Sequence, residues 1–466
     1  MRTTTGERPK HEIVSLYSKK IGELVVETMK KGATVEEADQ APSVKVSSAG
    51  EELDLSIGQR EFYDAAGAEE ALAPMFDPLT PISKIKFSTK SFGQEAAQVA
   101  CRAMQASRDT LVDADISDVI AGRPEDVALE ALGIMAEGLR ACALRHVNVS
   151  DNALGEKGIR KVASIFTQQR GLESITLENV GLSTFACKAL DELLGSNARS
   201  LKRIHLQNNM SGDEGGDAIG SILLRAPVME DFKMVYCRVG ETGGTSLCRG
   251  LAISPHLVKL NLTGNPMGPG MAEDLALAIG HQQNLKSLLL GDTLLEDHGV
   301  ANVCAALART APHLEELDLS LNEITPRGSA VVARCLFGKA SLRRLILREN
   351  ELKDKGVLTI CRALGGTPLV ELDFAENQIR GPGALAVARI VAAKQTFQRL
   401  ELNGNWIPED VVDQVRAVLA AGAGHGQDED ILGDMDDNDE DMAESDEEED
   451  DEDDDQLVSG MAGMGV

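Results

Sequence analysis

Aromatic residues are scarce in this chain: one Trp, three Tyr and ten Phe among 466 residues, or 3%. The apolar fraction is nonetheless 43%, so the core is built from Leu, Ile, Val and Ala, which suits stacked repeats better than an enzyme pocket. A run of 18 or more apolar residues is missing, which argues against a membrane span. The start, "MRTTTGERPKHEIV", has no apolar stretch behind its charges and does not read as a secretory signal. No CxxC and no His/Cys cluster at zinc spacing occurs, so no metal site is expected. GxxxxGK[ST] and GxSxG are also absent, and the eight histidines are scattered. The chain is therefore not expected to hold a nucleotide or to carry a Ser/His/Asp triad.

Basic residues disappear from one long stretch. Between Gln427 and Gln456 there are 20 Asp or Glu and no Lys or Arg, whereas the whole chain carries −29. The remainder is left at about −9, so most of the charge sits in a tail too acidic to collapse on itself. Such a tail solubilises or steers a basic partner, and it disfavours nucleic acid.

What is present is a repeat. "LRHVNVSDNAL" begins at Leu144, "LVKLNLTGNPM" at Leu257, "LEELDLSLNEI" at Leu314 and "LVELDFAENQI" at Leu369, with eight further copies between Ile82 and Phe397. The period is 27 to 29 residues, and the pattern L-x-x-L-x-L-x-x-N-x-L is that of leucine-rich repeats. Alternating apolar residues such as Leu317 and Leu319 predict a short strand, and "AEDLALAIGHQQ" predicts a return helix. Asn152, Asn209, Asn265, Asn322, Asn350, Asn377 and Asn405 recur where the strand turns inward, so their amides are expected to be structural. Cys101, Cys248, Cys304 and Cys361 share one repeat position with Ala163, Ala276, Ala333 and Ala388, a small buried slot where thiols are expected reduced and inert.

The expected fold is thus an α/β leucine-rich repeat horseshoe of the ribonuclease-inhibitor type. Parallel strands line its concave face and helices its convex face. The expected organisation is a helical extension over 1–45, an irregular cap over 46–81, about twelve repeats over 82–424 and a disordered acidic tail over 425–466.

Two repeats break the pattern. Between Leu111 and Leu144 the spacing is 33 residues, and the surplus falls in "SDVIAGRPEDVALEAL", directly after the strand. Gly122 lets this loop turn, Pro124 stiffens it, and Arg123 is expected to project from it, toward a neighbouring carboxylate or an acidic or phosphate-bearing partner. In "LESITLENVGL" the repeat asparagine is replaced by Val180, and an asparagine stands one place earlier, at Asn179. Asn179 should face outward on the same rim as the long loop and Asp151. His205, on a strand, is expected to point into the concave face.

"SDVIAGRPEDVALEAL", "VNVSDNALGEKGIRKVAS", "HLQNNMSGDEGG", "RENELKDKG" and the acidic tail together resemble the Ran GTPase-activating proteins, over roughly residues 13–455. Land-plant members carry an N-terminal Trp-Pro-Pro module. The single tryptophan here is Trp406, so the resemblance is to a plant or algal form lacking that module. The resemblance implies stimulation of GTP hydrolysis on Ran, by docking on its switch regions and positioning its own catalytic glutamine without an arginine finger. It implies Asn179 as the residue carrying activation, with Arg123 and Asp151 as partner-binding residues and Asn152 as structural; Asn208 and His205 are further candidates for partner binding. Where some members have a lysine, this chain has Glu125, which removes one basic contact. The implied partner is Ran in its GTP-bound form, with Ran-binding protein as a further component. GTP and Mg²⁺ would be carried by the GTPase, and this chain, with no active site or cofactor of its own, would act as a cytoplasmic or perinuclear monomer. The rival reading from repeats and tail alone is a non-catalytic acidic binder, either histone-chaperone-like or an inhibitor scaffold.

Overall fold

Each repeat buries the leucines that open it: Leu314, Leu317 and Leu319 are all fully inaccessible, as are Leu342, Leu345 and Leu347 one repeat later. At roughly 1.5–3 kcal/mol per buried side chain, stacking consecutive repeats is the driving term, because one repeat alone has nothing to cover its apolar face. The computed structural model describes residues 45–46, 51–422 and 431–438. The expected helical extension over 1–45 lies outside the described residues except for Lys45, which is in a strand.

The strands are β1 (Lys45–Val46), β2 (Glu52–Asp54), β3 (Glu61–Tyr63), β4 (Lys84–Lys86), β5 (Lys90–Phe92), β6 (Asp113–Asp115), β7 (His146–Asn148) and β8 (Ser174–Glu178). They continue with β9 (Arg203–Gln207), β10 (Asp231–Val235), β11 (Lys259–Asn261), β12 (Ser287–Leu289), β13 (Glu316–Asp318), β14 (Arg344–Ile346), β15 (Glu371–Asp373) and β16 (Arg399–Glu401). All but β3 and β5 join one 14-stranded sheet in chain order; β1 is antiparallel and the rest parallel. A helix follows almost every parallel strand and packs on the next. Gly220 permits one such contact, since a Cβ there would lie 2.6 Å from the Ser246 carbonyl oxygen. This is the leucine-rich repeat horseshoe.

The asparagine ladder works as the pattern implied. Asn322 is fully buried; its Oδ1 accepts from Leu295 N and Thr293 Oγ1 (both 3.0 Å), and its Nδ2 donates to the carbonyls of Leu290 and Ser320 (both 2.8 Å). Asn152, Asn209, Asn265, Asn350, Asn377 and Asn405 are likewise at most 5% exposed and bridge to the preceding repeat. Buried turn amides that would otherwise be orphaned are satisfied in this way. In the first repeat, Lys90 stands in the same place. It is 2% exposed, and its ammonium donates to the carbonyls of Ile57 and Gln59 and to Glu61.

Both ends of the array differ from the expected boundaries. At the N-terminal end, residues Glu52–Asp54 form β2, which pairs in parallel with β4, so the sheet extends one repeat before residue 82. The apolar alternation of Leu53 and Leu55, both buried, is the reason. A two-stranded parallel sheet, β3–β5, closes this end around Tyr63, Phe87 and Phe92, whose rings lie 5.3 and 5.7 Å apart. At the C-terminal end, residues 431–438 are not a free tail. Ile431 and Met435 are buried at 9% and 7%. Leu400 N donates to Ile431 O (2.7 Å), and Gly433 N donates to Leu400 O (2.8 Å). Asn438 Oδ1 then accepts from Asn405 N (3.0 Å), so a segment inside the acidic stretch supplies a closing asparagine rung. Residues 423–430 and 439–466 lie outside the described residues.

Candidate functional site

In repeat after repeat the turn that follows the strand places a residue in left-handed backbone: φ is 52° at Asp118, 59° at Asp151, 52° at Asn179 and 52° at Asn208. Asn and Asp tolerate this region better than most side chains, although Tyr236, Leu321 and Glu349 hold the same place in later repeats with φ of 50°, 52° and 53°. The backbone N–H at each place donates to the following rung: Asp151 N to Glu178 O, Asn179 N to Gln207 O and Asn208 N to Val235 O, each at 2.9 Å. Neighbouring turns are thereby held in register along one rim, one strand spacing apart.

The register produces a hydrogen-bonded row. Asn179 Nδ2 donates to Asp151 Oδ1 (2.8 Å), and Asn208 Nδ2 donates to Asn179 Oδ1 (2.5 Å). All three side chains are exposed. Val180, at the ladder place, is fully buried, and its carbonyl accepts from Gly155 N (2.9 Å). The rim asparagine of this repeat is thus kept while the ladder asparagine is lost, whereas Asp151 and Asn208 stand on the rim beside the buried ladder residues Asn152 and Asn209.

Arg123 behaves differently from the sequence expectation. Its loop does lie directly after β6, but the guanidinium turns back into the chain. Nε donates to Ser91 Oγ (3.0 Å) and Nη2 to the carbonyls of Ser91 (2.8 Å) and Tyr63 (3.4 Å). The guanidinium carbon also sits 5.3 Å above the Phe62 ring. Among the described residues the Arg123 guanidinium forms no ion pair with a neighbouring carboxylate. A planar group with several donors can satisfy the Ser91 hydroxyl and carbonyls of both β3 and β5 at once. Gly122 (φ 74°) makes the turn, and a Cβ there would come within 3.0 Å of Phe62. None of the hydrogen bonds of Arg123 reaches the Asp151–Asn179–Asn208 row. The Asp118 carboxylate is held by Arg60 (2.9 and 2.7 Å), and Glu125 pairs with Lys157 (2.9 Å).

Five stretches, residues 141–163, 254–276, 310–330, 338–361 and 367–388, match the family described as Leucine Rich repeat. RAN GTPase-activating protein 2 of Arabidopsis thaliana is 36% identical over 435 residues, 92% of this chain and 78% of that protein. The chain belongs to the Ran GTPase-activating protein family. Arabidopsis RAN GTPase-activating protein 1 is 40% identical over a shorter 165 residues, 35% of this chain and 30% of that protein. Ribonuclease inhibitor of Sus scrofa is 26% identical over 321 residues, 62% of this chain and 70% of that protein.

In this member of the family the concave face is a net of cross-strand charge pairs. His205 lies there as expected, half-buried on β9, with Nε2 3.0 Å from Asp231 Oδ1, while Arg203 donates to Oδ2 of the same carboxylate (3.1 Å). Burial opposes ionisation of Asp231, yet the bonds from His205 and Arg203 outweigh it and hold the carboxyl below its ordinary range. Lys233 pairs with Glu178 (3.0 Å) and Arg344 with Glu371 (2.8 Å). At the far end, a cleft of about 460 Å³ opens beside Asp373, Asn403 and Asp437. His205 is thus engaged within the concave face rather than on the rim with Asn179.

Sequence reasoning missed the row as a row. The signal was present: the place before the ladder asparagine reads Asp118, Asp151, Asn179, Asn208 in successive repeats. It missed Ser91, Tyr63 and Phe62 as the seat of Arg123 altogether, because contacts some 30 to 60 residues apart leave no periodic trace.

Proposed function

We propose that this protein accelerates GTP hydrolysis on Ran by setting the Asp151–Asn179–Asn208 rim against the switch regions of the GTP-bound GTPase. In this reading Asn179 orients the GTPase's own glutamine, and through it the attacking water. Positioning and charge stabilisation supply nearly all of the catalysis in phosphoryl transfer, so one well-placed amide at the rim is a sufficient kind of contribution. The observation that carries the reading is the exposed Asn179 carboxamide, held on both sides in a left-handed turn. The inward seat of Arg123 supports its second half: the loop arginine is spent on holding the loop, so it is not an arginine finger. GTP and Mg²⁺ belong to the partner, this chain has no active site of its own, and it acts as a cytoplasmic monomer. Ran-binding protein joins on the GTPase side.

The test is single-turnover hydrolysis of GTP on Ran with catalytic amounts of the protein, wild type against Asn179→Gly. Glycine suits the left-handed turn, whereas Asn179→Ala would add backbone strain of about 1–2 kcal/mol and confuse the result. Acceleration by wild type, lost on the order of 10²-fold or more in Asn179→Gly, is expected by analogy with removal of an oriented donor at other active sites. Equal acceleration by the two proteins would remove Asn179 from the mechanism.

A further inference from the structure

We infer that Asp151 and Asn208 are positioning residues that fix which end of the Asn179 carboxamide faces which way. This rests on the reading of Asn179 given above and deepens it. An ionised carboxylate can only accept hydrogen bonds, so Asp151 Oδ1 faces the NH₂ end of Asn179 (2.8 Å). On the other side Asn208 offers its own NH₂, which faces Asn179 Oδ1 (2.5 Å). An amide between an acceptor and a donor has one orientation with both bonds made. The reversed amide would set oxygen against the Asp151 carboxylate whichever way Asn208 turned, so Asp151 sets the order and Asn208 completes it. One amide hydrogen and one lone pair of Asn179 stay free for an incoming group, with their left–right order set by these two neighbours.

The polarity of the row has a structural origin. The three residues occupy the same left-handed place in consecutive repeats, stacked by the N–H to carbonyl bonds from Asp151 to Glu178, Asn179 to Gln207 and Asn208 to Val235. The chain of side-chain bonds then runs acceptor, amide, amide, without another partner for Asn179. For a glutamine carboxamide approaching from the partner, order matters. Asn179 can present its hydrogen to the glutamine oxygen and its lone pair to the glutamine NH₂ in one arrangement only, and reversing Asn179 reverses the side chain it orients.

The test exchanges the two ends. In the double variant Asp151→Asn/Asn208→Asp the acceptor stands on the other side, so Asn179 rotates by half a turn and keeps both hydrogen bonds. Asp and Asn have the same shape and both tolerate φ near 55°, so the fold is undisturbed. A merely structural row would be rescued by the exchange. A positioning row is not: kcat for Ran-bound GTP is expected to fall by about 10- to 100-fold with KM within about threefold, a loss comparable to misplacing one oriented group. Single Asp151→Asn, in which the new amide can still turn its oxygen toward Asn179, is expected to lose less than the double variant. Thermal unfolding of all variants checks that the array is intact. Wild-type kcat in the double variant overturns the inference while leaving Asn179 in place. A KM rise above tenfold with kcat unchanged overturns it too, since Asp151 and Asn208 would then serve docking alone and not the positioning of Asn179. Asn179→Gly, measured alongside, separates the two claims: if it retains full stimulation, the reading of Asn179 fails and the positioning role fails with it.

Discussion

Replacing Arg123 by Ala distinguishes an arginine that builds the rim from one that reacts. The side chain makes two well-formed hydrogen bonds to Ser91, at 3.0 and 2.8 Å, a longer one to the Tyr63 carbonyl, and a stack on Phe62. Charge-assisted bonds are worth about 1.5–3 kcal/mol each, and the stack adds about 0.5–1. Discounted for the half-exposed position and for overlap between contacts on one group, the expected loss is about 2–4 kcal/mol. In a repeat array this loss stays local, so it falls on residues 119–124 and the β3–β5 sheet rather than on the far repeats. The assay is urea unfolding followed by hydrogen exchange at β3 and β5, with single-turnover GTP hydrolysis on Ran in parallel. Arg123→Lys keeps the charge but not the fork, and is expected to recover less than half of the lost stability. In the hydrolysis assay the expected change is a higher concentration for half-maximal stimulation, with a maximal rate lowered less than tenfold. An arginine finger contributes about 10³–10⁵ in rate. A fall in maximal rate of that size, with exchange at β3 and β5 unchanged, would refute the structural assignment.

Three further outcomes follow from the same structure. Asn322→Ala removes four hydrogen bonds and orphans Leu295 N, and is expected to cost about 3–5 kcal/mol in denaturant unfolding; a loss under 1 kcal/mol would mean the ladder is dispensable. Asp292 is half-buried, and burial raises its carboxyl above the ordinary 3.8. A carboxyl raised on folding holds its proton better in the native state, so stability falls as pH rises from 3.8 through the raised value. Asp292→Asn should therefore stabilise at pH 7 and make no difference below pH 3.8; equal melting curves at pH 7 would contradict this. Truncation after Gly426 removes Ile431, Met435 and Asn438 from the last rung and should loosen exchange at β16, whereas truncation after Asn438 should not. Both should weaken the salt dependence of association, and identical exchange in the two would mean the closing segment is not held.

How much of this was legible beforehand depended on distance along the chain. The strand, the turn asparagine and the helix of each repeat are periodic, so Asn322 could be assigned its place and burial from spacing alone. The exceptions at Arg123 and Asn179 were visible for the same reason, as departures from a rhythm. What stayed hidden was non-periodic. The inward seat of Arg123 depends on Tyr63 and Phe62, whose strand is too short and irregular to announce itself. The docking of Ile431 and Met435 depends on two apolar residues inside a run of acids. Composition marks such a run as unfoldable, yet two buried side chains and one asparagine at the right register are enough to continue an existing edge, which offers backbone partners that an isolated tail lacks.

The position of the row within the turn explains why a repeat protein can carry a specific amide without weakening its scaffold. The ladder place is costly to alter, because its side chain satisfies buried groups of the previous repeat, and where Asn is missing Val180 still supplies its carbonyl to Gly155. The place immediately before it is different. Its backbone N–H is committed to the next rung while its side chain is not needed inside, so its identity is free: Tyr236, Leu321 and Glu349 hold this place in later repeats with the same left-handed backbone. Where Asn or Asp stands there, its short side chain can bond to the equivalent side chain of the next repeat. The fold therefore leaves one freely variable place per repeat, at one strand spacing. At that spacing adjacent amides and carboxylates bond to one another and acquire an order, as Asp151, Asn179 and Asn208 do. A rim that orients a partner's group needs only such an order at the point of contact, and the parallel stacking of the repeats provides the precision.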